Sequence, residues 1–348
     1  MTKNFSVSEN TTLKVDNFSG SITISEWDKN EIEFTVTVKT TAKKQSEALK
    51  LLDDVGTDFK QELELVSAKT GCPSQKMKRD CNCSYKIDYQ ISVPKNIHYD
   101  LITKYGNIVM ENATGNVVVS LTSGKFSGNE FSGNSKINIS HCSNLSVKKL
   151  LGTNNELTCS NGKAISVSES KNLKINTTHS EILIGKVEQL SIENAHSDIQ
   201  IIKAEKIQLD KSFYGKFEIG EVKHFQSNDK DSWYSKFEIN RVTGALSFSS
   251  LTYGNIAIHN AMPSFENIDI TACRTPIKIT LDAAVVSCQL GMEIKGGPLR
   301  VDAPKAHPEL DFWSKDPIRI SATVGEKETP KAVIKLKTED CKVRINQL

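Results

Sequence analysis

The sequence predicts an all-β protein built as a β-solenoid, in which short strands wind into stacked coils. A four-residue pattern recurs along the chain: an aromatic or small residue, then a small, a polar and an apolar one. Between recurrences, apolar and polar residues alternate with the period of two that strands require. Self-similarity at a fixed short period is typical of solenoids, and we expect about 18 to 20 residues per coil with a right-handed winding.

The clearest echo of this repeat pairs KSFYGKFEIGEV, which begins at Lys211, with DSWYSKFEINRV, which begins at Asp231. In both copies the alternation predicts that Phe and Ile point into the core while Lys and Glu face outward. The motif therefore repeats because the core position repeats. Clear copies of the four-residue pattern begin at Tyr105, Ser123, His179, His196, Tyr214, Tyr234 and Tyr253, with degenerate copies at His141-Cys142 and Asn161-Gly162.

The second residue of each copy is small, and we expect it to turn the chain at a corner of the coil. Glycine has no β-carbon and adopts a positive φ without steric cost, so the corner glycines are expected in that region. These glycines are Gly106, Gly124, Gly215 and Gly254, and the serines that replace them elsewhere are Ser180, Ser197 and Ser235.

Residues 1–103 differ from the repeat and are predicted to form an N-terminal β module that caps the solenoid. Strands are expected within residues 5–38, around Phe59 to Val66, and from Tyr85 to Val93. One helix is expected over about residues 42–55, because Ala48, Leu51, Leu52 and Val55 share a helical face, with Thr41 as its cap and Gly56 at its end. The solenoid then spans residues 104–348, with a loop insertion at about 303–317 and closing strands at the C-terminus.

Composition narrows the classes of partner. Lys and Arg number 44 against 42 Asp and Glu, a formal charge of +2, so no overall charge attracts nucleic acid and none is expected as a partner. No stretch approaches the roughly 20 apolar residues of a membrane-spanning helix. The first residues lack the pattern of a secretory signal, which leaves a cytoplasmic protein or an exported one whose signal has been removed.

Four stretches carry a family resemblance: VDNFSGSITISEWDKNEIEFTV from Val15, IDYQISVPKN from Ile87, KYGNIVMENATGNV from Lys104 and LKTEDCKVRINQL from Leu336. Together they resemble the bacterial putative-adhesin family, a domain of unknown function related to the head-GIN auto-transporter adhesins. The resemblance implies a β-helical protein of the cell envelope or surface, normally made with a signal peptide, and no catalytic residue. The sequence departs from the family's corner glycine at Ser235, Cys142 and Cys341.

Cysteines cluster once, at Cys72, Cys81 and Cys83. In an exported protein, as the resemblance implies, a disulfide from Cys72 to Cys81 or Cys83 would pin this loop. Unpaired thiols and a zinc site remain alternatives, although the spacing matches structural zinc knuckles poorly. We expect no metal site and no cofactor. The other cysteines are expected to be small buried residues of strands and corners.

Two further sets of polar residues are candidate sites. His141, His179 and His196 recur at corners and could bind a metal or titrate together, but a column on one surface lacks converging ligands, and a structural role is preferred. Glu181, Asp198, Glu218 and Glu238 fall near one register and could supply the paired carboxylates of a glycosidase. Lysines beside Glu218 and Glu238 favour instead a solvated face of alternating charge.

The aromatic residues give the strongest functional hypothesis. A stripe of rings in three successive coils could stack on sugars or dock a protein, unless one ring of each pair belongs to the core. The sequence thus predicts a non-catalytic envelope or surface protein with adhesin-like binding or a scaffold role, toward a polysaccharide or an envelope or host protein. A carbohydrate-binding or carbohydrate-active β-helix is the alternative. The predicted ligand-binding residues are Phe213, Tyr214, Trp233, Tyr234 and Tyr253.

Overall fold

The computed structural model describes residues 1–71, 83–228, 232–303, 309–312, 316–325 and 330–348. It is 73% strand and 3% helix, and its stacked coils form a β-solenoid of about nine turns, which confirms the predicted fold class. The chain divides into two compact units, Met1–Asn172 and Leu173–Leu348. None of the described residues belongs to a helix with the length and apolar content that a membrane crossing requires.

The elements of the first unit are β1 Thr2–Ser6, β2 Thr12–Ser19, β3 Ile22–Glu26, β4 Glu31–Thr41, α1 Gln45–Asp54, β5 Thr57–Glu62, β6 Leu65–Thr70, β7 Ser84–Val93, β8 His98–Ala113, β9 Val117–Phe131, β10 Ser135–Ser140, β11 Asn144–Leu150 and β12 Asn155–Ser160. Strand β13, Ile165–Thr178, contains the division between the units. The elements of the second unit are β14 Glu181–Ala195, β15 Asp198–Phe213, β16 Lys216–Ser227, β17 Ser232–Trp233, β18 Lys236–Thr252, β19 Asn255–Ala261, β20 Asn267–Cys273, β21 Ile277–Leu281, β22 Ser287–Lys295, β23 Gly297–Asp302, β24 Glu309–Phe312, β25 Ile318–Gly325, β26 Ala332–Glu339 and β27 Val343–Gln347.

Parallel pairing stacks the coils of the first unit. Strand β8 pairs in register with β9, and β9 pairs with both β10 and β11. The same parallel stacking reaches into the N-terminal region, because β2 and β3 both pair with β8. The predicted boundary between residues 103 and 104 falls inside β8. Strand β4, in contrast, pairs antiparallel with β1 and β7.

The helix is shorter than predicted. It runs from Gln45 to Asp54, and its N-cap is Lys44 without a side-chain hydrogen bond, so Thr41 is not the cap. Thr41 stays in β4 because that strand pairs with β7 as far as Thr41 and Ser84. Leu51 and Val55 are buried, whereas Leu52 is 40% exposed, so the predicted apolar face was too wide.

The strand predicted around Phe59 to Val66 is also wrong. Two antiparallel strands, β5 and β6, occupy this region, and they meet at a turn where Leu63 has a φ of 39°. Leu63 is fully exposed at the tip of this hairpin.

In the second unit, β14, β15, β16 and β18 stack in parallel, which aligns the repeats residue by residue. Phe217 lies beside Phe237, and their rings stack with centroids 4.7 Å apart. Both rings are almost completely buried, which confirms that the Phe of each Phe-Glu-Ile copy points inward.

The last coil of the chain lies between two earlier ones. Strand β26 pairs in parallel with β20 on one side and β22 on the other, and β27 likewise joins β21 and β23. Strands β24 and β25 then pair antiparallel with β23 and β22. The range predicted as a loop insertion, about 303–317, therefore contains β24, while residues 304–308 and 313–315 lie outside the described residues.

Candidate ligand-binding surface

One corner of the second unit is turned by large residues in the left-handed region. His179, His196, Tyr214, Tyr234 and Tyr253 have φ values between 50° and 57°. This conformation costs a non-glycine residue roughly 1 to 2 kcal/mol. Each backbone N–H along this corner donates to a carbonyl of the next coil, as in the 3.0 Å bond from Tyr214 to Trp233.

The turn therefore falls one residue earlier than the sequence suggested. Gly215 and Gly254 follow the left-handed tyrosines and have no positive φ, and the same holds for Gly106; of the four predicted corner glycines, only Gly124 has one. Glycine is needed at residue 215 for space, since a β-carbon there would lie 2.6 Å from the Ser212 hydroxyl and 2.7 Å from the Phe217 ring.

Small polar side chains stabilise the turn from the next position. The Ser235 hydroxyl accepts the N–H of Gly215 at 3.2 Å and donates to the carbonyl of Trp233 at 3.3 Å. The Cys341 thiol has the same role, accepting the N–H of Thr275 and donating to the carbonyl of Glu339, both at 3.3 Å. In the first unit, the Cys142 thiol donates to the carbonyl of Ser140. The thiols thus keep these corners regular, and burial raises the pKa of Cys142 and of Cys341 to about 11.

The five left-handed residues form a continuous stack, which we call the ring ladder. Neighbouring ring centroids are 4.8, 4.9, 4.8 and 5.2 Å apart from His179 to Tyr253, and neighbouring ring planes are within 9° of parallel. The parallel pairing of the coils sets this spacing, because equivalent residues of adjacent strands lie about 4.8 Å apart. Each aromatic contact contributes about 0.5 to 1.5 kcal/mol, which offsets the backbone strain.

The stacking limits what the ring ladder can bind. A second ring inserted between two members would need about 3.5 Å of clearance on each side, and the spacing leaves no such room. Ligands can therefore reach only the ring edges, where Tyr214, Tyr234 and Tyr253 remain 53%, 41% and 38% exposed. The interior rings cannot offer their faces to sugars, contrary to one expectation from the sequence.

The ladder ends at a cation. The Arg274 guanidinium lies 5.3 Å from the centre of the Tyr253 ring and donates a hydrogen bond to its hydroxyl. Arg274 also pairs with Asp340 at 3.7 Å, and both residues have a positive φ, so they continue the same corner. Arg274 lies 21 residues after Tyr253, close to the repeat spacing, but neither Arg nor Asp fits the aromatic or small first residue of the pattern, so neither was predicted.

Phe213 and Trp233, which we call the outer pair, lie beside the ladder. They are adjacent partners in neighbouring strands, and both precede a ladder tyrosine. Trp233 is 42% exposed, and no ring of the described residues stacks on it. Phe213 is half-buried, with the Lys211 ammonium 4.9 Å from its ring centre. The five predicted ligand-binding residues are thus neighbours on one surface, and neither ring of the Trp233–Tyr234 pair lies in the core.

Three lysines border these rings, and we call them the lysine rim. Lys211 covers Phe213, while Lys216 and Lys236 follow Tyr214 and Tyr234 by two residues and are partners in adjacent strands. Lys216 pairs with Glu218 at 2.6 Å. No carboxylate of the described residues pairs with Lys211 or Lys236. The repeated Tyr-x-Lys spacing is visible in the sequence, but charge alternation alone predicted only a solvated face for these lysines.

Glu218 and Glu238 are held by neighbouring side chains rather than arranged as a catalytic pair. Glu218 accepts hydrogen bonds from Lys216 and from Gln200, and the Lys216 bond lowers its pKa. Glu238 lies 2.8 Å from the ring nitrogen of His259. A glycosidase needs one carboxyl with a raised pKa to protonate the leaving group, and Glu218 is shifted in the opposite direction.

A shallow cavity elsewhere in the second unit is also lined by paired charges. Lys295 donates to Glu339 at 2.6 Å, and this bond lowers the pKa of Glu339. Glu293 on the same wall lies 3.3 Å from Arg319. Cys273 lines the cavity as well, and desolvation raises the pKa of its thiol, which disfavours the reactive thiolate.

The remaining candidates do not converge on a site. His141 lies in the first unit, 3.5 Å from the side-chain amide of Asn161. Cys83 is disulfide-bonded, while Cys72 and Cys81 lie outside the described residues. Within the part of the chain that is described, no three His, Cys, Asp or Glu side chains are grouped as a metal site would require.

Neither a protein-family model nor a curated protein matches the chain. Among solved structures, it is similar to a putative cell adhesion protein from Clostridium sporogenes, with 10% identity over 100% of this chain and 99% of that chain and a TM-score of 0.19. It is also similar to a putative adhesin from Parabacteroides merdae, with 11% identity over 99% and 95% and a TM-score of 0.32. A third is a putative lipid binding protein from Parabacteroides distasonis, with 11% identity over 99% and 96% and a TM-score of 0.33. Likeness at this level leaves function to be inferred from the chain's own residues.

Proposed function

We propose that this protein is a non-catalytic binding protein of the bacterial cell envelope or surface. Its ligand-binding surface comprises the outer pair and the exposed edges of Tyr214, Tyr234 and Tyr253. The envelope location rests on the sequence resemblance to the putative-adhesin family. The binding role rests on the surface itself.

The observation that carries this proposal is the exposure of Trp233. A tryptophan side chain left 42% exposed beside further exposed rings costs solvation free energy that burial in the core would avoid. Such contiguous aromatic surface marks sites of interaction, and tryptophan and tyrosine are the residues most often responsible for binding energy. The neighbouring ladder fixes the backbone on both sides of Trp233, so the surface is already organised before a ligand arrives.

Two other roles remain distinguishable. A purely structural envelope scaffold would need the solenoid but not an exposed tryptophan. A carbohydrate-active enzyme would need a carboxyl poised to act as an acid, and the ion pair of Glu218 with Lys216 and the contact of Glu238 with His259 give no support to that role. Binding without turnover is therefore the function that the geometry supports best.

The test is to measure polysaccharide binding by affinity electrophoresis with the wild-type chain and with Trp233→Ala. Tyr105→Ala is the matched control, because Tyr105 is 54% exposed in the first unit and lies outside the proposed surface. Circular dichroism and urea unfolding verify that all three proteins are folded. Release of reducing ends from each bound polymer is followed in parallel.

We expect saturable binding that Trp233→Ala weakens by about tenfold or more and Tyr105→Ala leaves unchanged. We expect no reducing ends above the buffer control. Equal binding by all three folded proteins would overturn the assigned surface. Turnover that depends on Glu218 or Glu238 would replace the binding role with an enzymatic one.

A further inference from the structure

We propose that the ligand is a linear acidic polysaccharide that lies along the ring ladder, across the strands, with its carboxylates on the lysine rim. This inference rests on the proposed function and specifies the chemistry of its ligand. It is carried by the coincidence of exposed rings and lysines in the same two coils of the second unit.

The rings and the positive charges occur together. Phe213 and Trp233 are partners in adjacent strands, and so are Lys216 and Lys236 on the other side of the ladder. Lys211 adds a third ammonium group above Phe213. A molecule on this surface would therefore meet apolar ring surface and positive charge within one contact area. Carbohydrate rings with carboxylate substituents combine the matching properties, since their C–H faces pack on aromatic rings.

The carboxylates of Glu218, Asp198 and Glu238 act on Lys216, whereas the neighbouring Lys236 is left without an ion pair among the described residues. Two lysines directly opposite each other on adjacent strands repel, and this arrangement destabilises a sheet. Lys216 is relieved by Glu218 at 2.6 Å, but Lys236 has no ion-pair partner among the described residues. A carboxylate of the ligand placed at Lys236 would supply that missing partner. The charge pattern thus favours an acidic ligand over a neutral one.

The direction of the ligand follows from the repeat. Along one strand a ligand would meet a single ladder ring, whereas across the strands it meets an equivalent group at every coil, about 4.8 Å apart. A linear polymer with a repeating unit can use these equivalent positions one after another, and each added contact increases the effective concentration of the next. A small isolated acid would gain nothing from the repetition.

The charge beside the ladder changes sign toward the histidines. At the position held by Lys216, the two preceding coils carry Asp198 and Glu181. These carboxylates would repel an acidic polymer. The site is therefore expected to span the coils of Phe213 and Trp233 and to stop before His196.

The experiment uses one polymer backbone in two charge states. Polygalacturonate carries a carboxylate on each sugar, and its methyl ester has the same backbone without the charge. Binding of both to the wild-type chain is measured by calorimetry at low and at high salt. Polyphosphate serves as an equally acidic polymer without sugar rings.

The test variant is Lys211→Gln/Lys236→Gln, because neither lysine forms an ion pair with another described residue that its loss would break. The control is Lys186→Gln/Lys206→Gln, which removes the same charge from exposed lysines of the same unit that also form no ion pair with a described residue and lie within β14 and β15, away from the ladder. Trp233→Ala completes the set and reports on the proposed surface irrespective of ligand charge.

We expect the wild-type chain to bind polygalacturonate, to lose affinity as salt rises, and to bind the ester and polyphosphate weakly. The Lys211/Lys236 variant should bind about three- to tenfold more weakly, and the control should match wild type.

Equal binding of acid and ester, both lost in Trp233→Ala, would overturn the acidic ligand while leaving the proposed function intact. If polyphosphate bound as tightly as polygalacturonate, charge alone would account for binding, and the assignment of a polysaccharide ligand would be wrong. Binding to neither polygalacturonate nor its ester would overturn this inference without deciding the proposed function, which the affinity electrophoresis tests.

Discussion

The first coils of the first unit and the coils of the second unit turn a solenoid corner by opposite means, while His141 and Asn161 later in the first unit also have a positive φ. In the first unit, Gly20, Gly106 and Gly124 stack in successive coils, and a β-carbon added at Gly106 would overlap the carbonyl oxygen of Gly20. In the second unit, the ring ladder places a large side chain at every turn, in a conformation that is unfavourable for such residues. The glycine corner achieves close backbone packing and presents no side chain to solvent. The ring ladder presents exposed groups at regular intervals, at the cost of backbone strain.

This difference teaches where to look for function. A solenoid corner can be made without strain by glycine, so five strained histidines and tyrosines in a row require a further reason. Ring stacking and hydrogen bonds such as that from Gly215 to Ser235 offset the strain and keep the rings at the surface. Because the glycine corner needs no such rings, the exposed rings of the ladder and the outer pair beside them point to binding.

The largest expected effect is at the glycine corner. Gly106→Ala should lower the free energy of unfolding by about 3 kcal/mol or more, because the new β-carbon overlaps backbone that cannot move aside. Urea unfolding measures the change. Gly56→Ala is the matched control in the same unit, since nothing lies within 4 Å of a β-carbon there, and it should shift stability by no more than about 1 kcal/mol. Equal effects of the two substitutions would contradict the close-packing explanation.

The second-largest effect on stability is expected at the ring ladder, where a substitution changes both ring stacking and backbone strain. Tyr234→Ala removes two stacking contacts but leaves a non-glycine residue at a φ of 57°, and should cost about 2 kcal/mol. Tyr234→Gly removes the same contacts and also the strain, so it should be about 1 kcal/mol more stable than the alanine variant. The same urea titration ranks the three proteins. An alanine variant at least as stable as the glycine variant would show that strain at this corner is negligible.

The corner thiols predict an alkaline transition common to both units. Burial raises the pKa of Cys142 and Cys341 from 9.0 to about 11, so the folded state favours the neutral thiols. Above the ordinary thiol pKa the unfolded chain loses these protons first, and stability falls as pH rises from about 9 to about 11. Each thiol should account for about 2 kcal/mol of this loss. Stability measured against pH should decline less steeply for Cys142→Ser/Cys341→Ser, and identical slopes would refute the assignment.

The smallest effect concerns the hydroxyl that supports the turn. Ser235→Ala leaves the buried N–H of Gly215 without its acceptor and should cost about 1 kcal/mol. Ser235→Cys should recover part of this loss, because Cys341 accepts an N–H and donates to a carbonyl at the equivalent position. Thermal unfolding of the three proteins compares them directly. A cysteine variant no better than alanine would show that the thiols occupy these corners only as small apolar groups.

Sequence reasoning found the solenoid and the neighbours in the candidate surface because both follow from the repeat. Parallel stacking makes equivalent residues adjacent, so the spacing from Tyr214 to Tyr234 to Tyr253 was sufficient to bring these rings together. The inward position of Phe217 and Phe237 followed in the same way. Periodicity identifies which residues are neighbours but carries no information about backbone angles, and the left-handed residue was therefore placed one position too late.

Features that break the repeat were not predictable in this way. The last coil lies between two earlier coils because β26 pairs with both β20 and β22, and no local pattern specifies such an insertion. Arg274 and Asp340 continue the ladder's corner although 66 residues separate them. In the N-terminal region, the helix begins after Thr41 because Thr41 pairs with Ser84 in the sheet, although the local sequence predicted Thr41 as the helix cap.

The most direct test of the central claim is hydroxyl-radical footprinting of the wild-type chain with and without saturating polygalacturonate. Oxidation of Trp233 is measured by mass spectrometry relative to Tyr105, an exposed ring of the first unit that corrects for radicals consumed by the polymer. If the second unit's aromatic surface binds the ligand, oxidation of Trp233, Tyr214 and Tyr234 falls relative to Tyr105. Unchanged ratios at a polymer concentration where calorimetry shows saturation, or protection of Tyr105 instead, would contradict the claim.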